Sequence, residues 1–248
     1  MRLGGRAPAG VGPDTAAHAV TGAVSRPAAL LFDFDGLILD TETCAYDTVD
    51  EIFAEHGEAL DLGWWHSTIG TADHPHWSEI LAEQLGRPVD RVALSARREE
   101  RPRALLHALP VCAGVTELLD AARAAGIAAA VVSSSPATWV DGHLTRLGLR
   151  HRFRAVITRD DVAGDDRRTK PAPDLYLAAA AALGVDAADC VVFEDSPNGV
   201  AAGRAAGMAV VAVPGPMTAS LDFGGADLAV PSLLSIDLDA LGRLRAEA

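Results

Sequence analysis

Four short stretches of this chain carry side chains able to do chemistry, and three of them follow an apolar run. Phe32-Asp33-Phe34-Asp35-Gly36 sets two carboxylates two residues apart, and in an extended chain that spacing places Asp33 and Asp35 on one side. Val132-Ser133-Ser134-Ser135-Pro136 offers hydroxyls and backbone N–H donors, led by Ser133 and Ser134, that can hold a phosphate oxygen. Thr169-Lys170-Pro171-Ala172-Pro173-Asp174 supplies a lysine just before a helix start. Phe193-Glu194-Asp195-Ser196-Pro197 supplies two adjacent acids, hard oxygen ligands of the kind Mg2+ takes alongside waters and a substrate phosphate. Singly, each has a plainer reading: turn residues after a strand, a polar loop, a solvated lysine, acids at a helix N-terminus. Together they fall at successive carboxyl ends of one expected sheet, where open α/β sheets bind ligands, and the plainer readings weaken jointly.

The lysine carries a second signal. The chain has 21 basic side chains, and Lys170 is the only lysine among them. Lysine is a compact point charge on a flexible stem, whereas arginine is a broad planar fork. A chain that uses arginine everywhere else and lysine here points to a site too tight for a guanidinium.

Positioning these residues requires a sheet. Apolar runs at Ala28 to Phe34, Ile127 to Val132, Ala155 to Ile157, Cys190 to Phe193 and Val210 to Val213 alternate with Ala/Leu-rich helical stretches. Runs apolar on both faces that alternate with helices predict a parallel, doubly wound sheet. Residues 43–109 break this rhythm with helical patterns and three of the four tryptophans, Trp64, Trp65 and Trp77. They read as a helical insert after the first strand, leaving 27–42 and 110–248 as the core. Ser196 followed by Pro197 predicts an N-cap and first helical position, with Gly207 ending that helix. Residues 1–26, rich in Gly, Ala and Pro without apolar periodicity, read as a flexible tail.

Composition removes several classes of function. With 34 acidic against 21 basic residues the net charge is -13, which repels nucleic acid and anionic lipid surfaces. No apolar run approaches the roughly 18 residues of a membrane span, and the N-terminus lacks a signal peptide's apolar segment. The expectation is a cytoplasmic protein, a monomer or weak homodimer, with neither nucleic acid nor membrane as partner. Cys44, Cys112 and Cys190 show no CxxC spacing, so neither a disulfide framework nor a zinc site is expected, and Cys190 fits a small buried hydrophobe.

The stretches LLFDFDGLILDTE, VVSSSP, TKPAPDLY and VVFEDSPNGVAAGRAAGM, in that order, resemble the motifs of the haloacid dehalogenase-like superfamily, and within it the β-phosphoglucomutase-like phosphatases. The resemblance spans about Ala28 to Val213. It implies a Rossmann-like parallel sheet core with a helical cap domain inserted after the first strand. It further implies a Mg2+-dependent phosphatase acting on a small phosphorylated metabolite, such as a sugar phosphate, through an aspartyl-phosphate. By resemblance, Asp33 is the nucleophile and Asp35 the acid that protonates the leaving alcohol and then activates water. Asp33, Asp195 and the Asp35 backbone carbonyl bind the metal, and Glu194 either binds it directly or holds a metal-bound water. Ser133, Ser134 and Lys170 hold phosphoryl oxygens.

Charge agrees with one shared proton: Asp33, Asp35, Glu194, Asp195 and a phosphate dianion outnumber Lys170 and one Mg2+. Departures from the family pattern narrow the reaction. Asp35 disfavours halide displacement, and the absence of a lysine in the insert disfavours a Schiff-base phosphonate cleavage. The related mutases carry a histidine where this chain has Ala45 and a cap-loop arginine where it has Asp73, so a phosphatase is preferred over a mutase. A receiver-like signalling domain or a silent phosphate-binding protein is the alternative from another class. The Asp161 to Lys170 segment is longer and more charged than usual, with Thr169 in place of glycine. His66, His74, His76 and the insert's tryptophans are either readers of the leaving group or surface and packing residues.

Overall fold

The computed structural model describes Met1 and residues 26–100, 103–162 and 165–247 of the chain; the tail expected over residues 1–26 falls almost wholly outside them. The first strand, β1 (Ala29–Phe32), is followed by six helices before the sheet resumes, the first five being α1 (Thr41–Glu55), α2 (Leu62–Thr68), α3 (Trp77–Leu85), α4 (Arg91–Glu100) and α5 (Arg103–Ala108). Then come α6 (Val115–Ala124), β2 (Ala128–Val132), α7 (Ala137–Arg146), β3 (Ala155–Ile157), α8 (Asp174–Leu183), β4 (Cys190–Glu194), α9 (Pro197–Ala205), β5 (Ala209–Ala212), β6 (Leu228–Ala229) and α10 (Leu238–Glu247). The expected strands are present, and β6 is an addition. At two residues it is too short to leave a hydrophobic pattern in the sequence.

All strand pairs are parallel, in the order β3-β2-β1-β4-β5-β6. The chain leaves β1 toward β2 and β3 on one side, then crosses to β4 and β5 on the other. The carboxyl ends of β1 and β4 therefore border the crevice where the winding reverses, the usual ligand site of such sheets. The period-2 pleat divides each strand between two apolar clusters. Leu30, Phe32, Val131, Val191, Phe193 and Val211 pack on one face. Leu31, Ala130, Val132, Val192, Val210 and Ala212 pack on the other, where Cys190 is buried with its Sγ donating to Asp186 O at 3.5 Å.

The helices between β1 and β2 have an apolar cluster of their own, built on Val49, Ile52, Phe53, Trp65, Trp77 and Leu81. Two expected helix ends are realised: the Ser196 hydroxyl caps α9 at Gly199 N–H, and Gly207 past its end has φ 73°. No described helix is long and apolar enough to cross a membrane.

The insert contains a titratable cap. His76 Nδ1 accepts the Ser78 N–H that opens α3, at 3.2 Å, and meets the Ser78 hydroxyl at 2.7 Å. Protonating that nitrogen destroys the acceptor. Burial, then the Arg91 and Arg98 guanidiniums, push the His76 imidazole down to about 4 from an ordinary 6.5. Between these values the unfolded chain binds the extra proton, so stability due to the neutral ring is present above pH 6.5 and lost as pH falls toward 4. His76→Asn, an N-cap that does not titrate, is expected to flatten that part of the stability profile in denaturant titrations; parallel profiles for the two proteins would contradict this.

Candidate active site

Asp33 is placed by sheet pairing continued one residue beyond β1. Its N–H donates to Phe193 O at 3.0 Å, beside the Phe32–Phe193 ring contact. Ser133 is set the same way past β2, its N–H donating to Ile157 O at 2.9 Å. Glu194 closes β4, and its carbonyl accepts from Val213 N–H at 2.7 Å. Sheet hydrogen bonding thus aligns three chain segments at one edge.

Lys170 enters this edge from the loop before α8 and is fully buried. Its Nζ donates to Asp33 Oδ1, to Glu194 Oε1 at 2.5 Å and to Val132 O at 2.9 Å, and lies 5.2 Å from the Tyr176 ring centroid. Burial alone would lower the ammonium's pKa, but the Asp33 and Glu194 carboxylates outweigh it and raise it. Glu194 is held on every side: Tyr176 Oη donates to Oε1 at 2.5 Å and Ser196 Oγ to Oε2 at 3.1 Å. The unusual Thr169 leaves the lysine in place. Its hydroxyl donates to Asp166 O at 2.6 Å and accepts Ala72 N–H of the insert at 3.2 Å.

Among the described residues, Asp33, Glu194 and Asp195 form a buried cluster in which one carboxylate oxygen from each lies within 4.8 Å of the other two. Burial pushes Asp33 well above the usual carboxylate range, opposed by Lys170 and reinforced by Glu194 and Asp35. Burial and then the Asp33 and Glu194 charges push Asp195 up as well. Three carboxylates against one ammonium leave two negative charges in a dry site, which is costly without a counter-ion. A hard divalent cation of the Mg2+ kind fits this donor set in both charge and ligand type.

Two glycines let the backbone come close to these acids. Gly36 has φ 87°, and a Cβ there would run into the Asp195 carboxylate. At Gly199 the backbone is ordinary, but a Cβ would overlap the carboxylate of Glu194.

The two aspartates expected on one side have different company. Asp33 joins the cluster, whereas Asp35 is half-buried and accepts from Thr41 Oγ1 and Trp139 Nε1, each at 2.8 Å, from Ser135 Oγ at 2.6 Å and from Ser133 Oγ at 3.3 Å. Nearby Glu42 is pushed up to about 7 by burial and by Asp35, against the pull of Arg98. Ser134 donates to Gly70 O at 2.8 Å, so its hydroxyl ties the core to the insert. Asn198 Nδ2 does likewise, donating to Ile69 O at 2.8 Å and Ser67 O at 3.1 Å. Residues 67–72 are thereby fastened over the sheet edge. Beneath them a cavity of about 460 Å³ is lined by Asp33, Asp35 and Ser133 and by Trp64, His74 and His76 of the insert.

Sequence reasoning passed over Thr41, Ser135, Tyr176 and Trp139. The first three stand inside the quoted motifs, so a signal existed. Trp139 is the one tryptophan outside the insert, and nothing in its spacing separates a polar contact from packing.

The sequence profile of the haloacid dehalogenase-like hydrolases matches residues 27–207. The chain is 43% identical over 213 residues to YhcW of Bacillus subtilis (strain 168), covering 86% of this chain and 95% of that protein. It is 34% identical over 194 residues to the fructose-1-phosphate phosphatase YqaB of Escherichia coli (strain K12), covering 76% and 97%. Its fold is similar to the crystal structure of CbbY from Rhodobacter sphaeroides in complex with phosphate, with a TM-score of 0.66 and 28% identity over 84% of this chain and 95% of that one.

The approach at Gly199 has a measurable consequence. Gly199→Ala is expected to lower stability by about 1–3 kcal/mol in urea titrations, the usual cost of overpacking, because Glu194 has no free direction in which to move. An unchanged midpoint would show that the carboxylate is not confined there.

Proposed function

Because the chain belongs to the haloacid dehalogenase-like hydrolases and is a phosphatase of that family, we propose that it hydrolyses a small phosphorylated metabolite with Asp33 as nucleophile and Mg2+ as cofactor. The observation that carries this reading is the buried cluster of Asp33, Glu194 and Asp195 around the chain's only lysine. Asp33, Asp195 and Glu194 would hold the ion, with the Asp35 backbone carbonyl as a further ligand. When bound, Mg2+ neutralises charge on the transferring phosphoryl group.

The protein's own residues account for the rest. Lys170 and Ser133 are disposed to hold phosphoryl oxygens beside Asp33, supplying a charge and a hydroxyl where negative charge develops. An Asp33 carboxylate oxygen forms a bond to phosphorus as the bond from phosphorus to the leaving alcohol oxygen breaks. Asp35 gives its proton to that oxygen. Water then attacks the aspartyl-phosphate, returns a proton to Asp35, and phosphate departs as the Asp33 carboxylate is restored.

The substrate class is supported by the cavity between the sheet edge and the insert, whose size suits a sugar-phosphate-like monoester, and by the fructose-1-phosphate phosphatase among the relatives. We read residues 43–109 as the cap domain closing that cavity, and the aromatic and imidazole rings of Trp64, His74 and His76 as its wall toward the leaving group. Ala45 lines the adjoining cavity where the related mutases carry a histidine, which favours hydrolysis over mutase chemistry.

Asp33→Asn is expected to reduce turnover on the order of 10⁴-fold or more, as loss of a nucleophile does, and to remove the acid-stable, hydroxylamine-sensitive phosphoryl label on the protein. Hydrolysis at the wild-type rate in that variant would sink the mechanism. Chelation with EDTA is expected to silence the enzyme and Mg2+ to restore it. Ca2+, which prefers more ligands at longer distances, should restore it poorly; full activity in metal-free buffer would refute the cofactor.

A further inference from the structure

Both oxygens of the Asp35 carboxylate are filled. Oδ1 accepts the Trp139 indole N–H and the Thr41 hydroxyl, and Oδ2 accepts the hydroxyls of Ser135 and Ser133. With both oxygens taken up by four donors, the group has to give up at least one of them to reach a substrate oxygen. Hydroxyls rotate and can accept as well as donate, so three of these partners adapt to either protonation state. The indole N–H cannot: it donates only, along a direction fixed by the ring.

The ring is itself held. Trp139 lies in the first turn of α7, whose start is pinned by Ala137 N–H donating to Asp160 Oδ2 at 2.9 Å. Its ring centroid is 4.4 Å from that of His143, edge to face at 70°. His143 Nδ1 is 3.3 Å from the Arg146 guanidinium, which also donates to His107 O at 2.9 Å. A purely packed tryptophan needs none of this registration with a carboxylate. On its open side the arrangement borders a cavity of about 510 Å³, lined by Asp35, Thr41, Trp139 and His143. Asp35 lies outside the cluster of Asp33, Glu194 and Asp195.

We infer that Trp139 is a positioning residue for Asp35: its indole N–H parks the carboxyl group apart from the Asp33 cluster, and this bond breaks when Asp35 engages a phosphoryl ligand on Asp33. The inference rests on the reading of Asp35 as the proton carrier. The parked state competes with the engaged one, so for a ligand that needs Asp35 engaged the apparent Kd is the intrinsic one divided by the fraction of molecules not parked. One hydrogen bond, at the upper end of its usual net worth, sets that factor at about tenfold.

The test uses the full chain with Mg2+ and orthovanadate as the phosphoryl probe. In ¹⁵N-labelled protein the four tryptophans give four indole N–H resonances, and the one lost in Trp139→Phe is assigned to Trp139. That resonance is expected to move in Asp35→Ala, to move when vanadate binds the wild type, and to stay still when vanadate binds Asp35→Ala. Trp139→Phe, which keeps the ring and drops the donor, is expected to bind vanadate about tenfold more tightly than wild type, with no such gain in an Asp35→Ala background. An indole resonance unmoved by bound vanadate, or equal affinities, overturns the role of Trp139. If Asp35→Asn slows alkyl and aryl phosphates equally, the proton-carrier reading falls and this inference with it. If Asp35→Asn spares aryl phosphates while the indole stays fixed, only the inference about Trp139 falls.

Discussion

The ammonium of Lys170 lies without solvent contact between two carboxylates from different strands, Asp33 beyond β1 and Glu194 at the end of β4. A buried charge is tolerable only when paired and hydrogen-bonded, and here the pairing is shared among groups far apart in sequence. The lysine's third partner, the Val132 carbonyl, comes from β2. One side chain therefore ties together the ends of three adjacent strands. Its environment also explains its type: a guanidinium in the same volume would need partners for five donors, and the two acids already receive a phenol, a hydroxyl and the ammonium.

The negative charge is handled by distribution. Lys170 answers part of the Asp33 and Glu194 charge, while burial and then neighbouring carboxylates push both Asp33 and Asp195 upward. Asp35 is treated differently, surrounded by neutral donors from the core and from the first residue of α1. Two aspartates separated by one residue are thus given opposite surroundings, which is what the proposed division between nucleophile and acid–base group requires.

The helical insert is bound to this edge through polar contacts. Ser134, Thr169 and Asn198 each bond the backbone of residues 67–72, while the insert keeps a separate apolar cluster. Polar contacts to loop backbone are easier to break and remake than shared core. Motion of this segment would leave both cores intact.

The order of the apolar runs, the break in rhythm between the first and second of them, and the four chemistry-bearing stretches were all legible in the sequence. Period-2 burial and helix signals are local, and an acid at a strand end declares itself by position. The lone lysine was legible for a different reason, since its type departs from every other basic residue in the chain. Tertiary structure alone decided what meets what. Spacing put Asp33 and Asp35 on one side, but the turn through Gly36 and the donors of Thr41, Ser135 and Trp139 draw Asp35 into a berth of its own. Sequence alone groups Ser134 with Ser133 as a phosphate holder, and only the fold reveals that its hydroxyl donates to the Gly70 carbonyl. Strand β6 was invisible because two residues carry no period, and Trp139 because an indole N–H is directional only once a fold has fixed both its ring and its acceptor. Local patterning selects elements and exposes charged residues, whereas hydrogen-bond partners more than a hundred residues apart are chosen by the sheet order that brings them together.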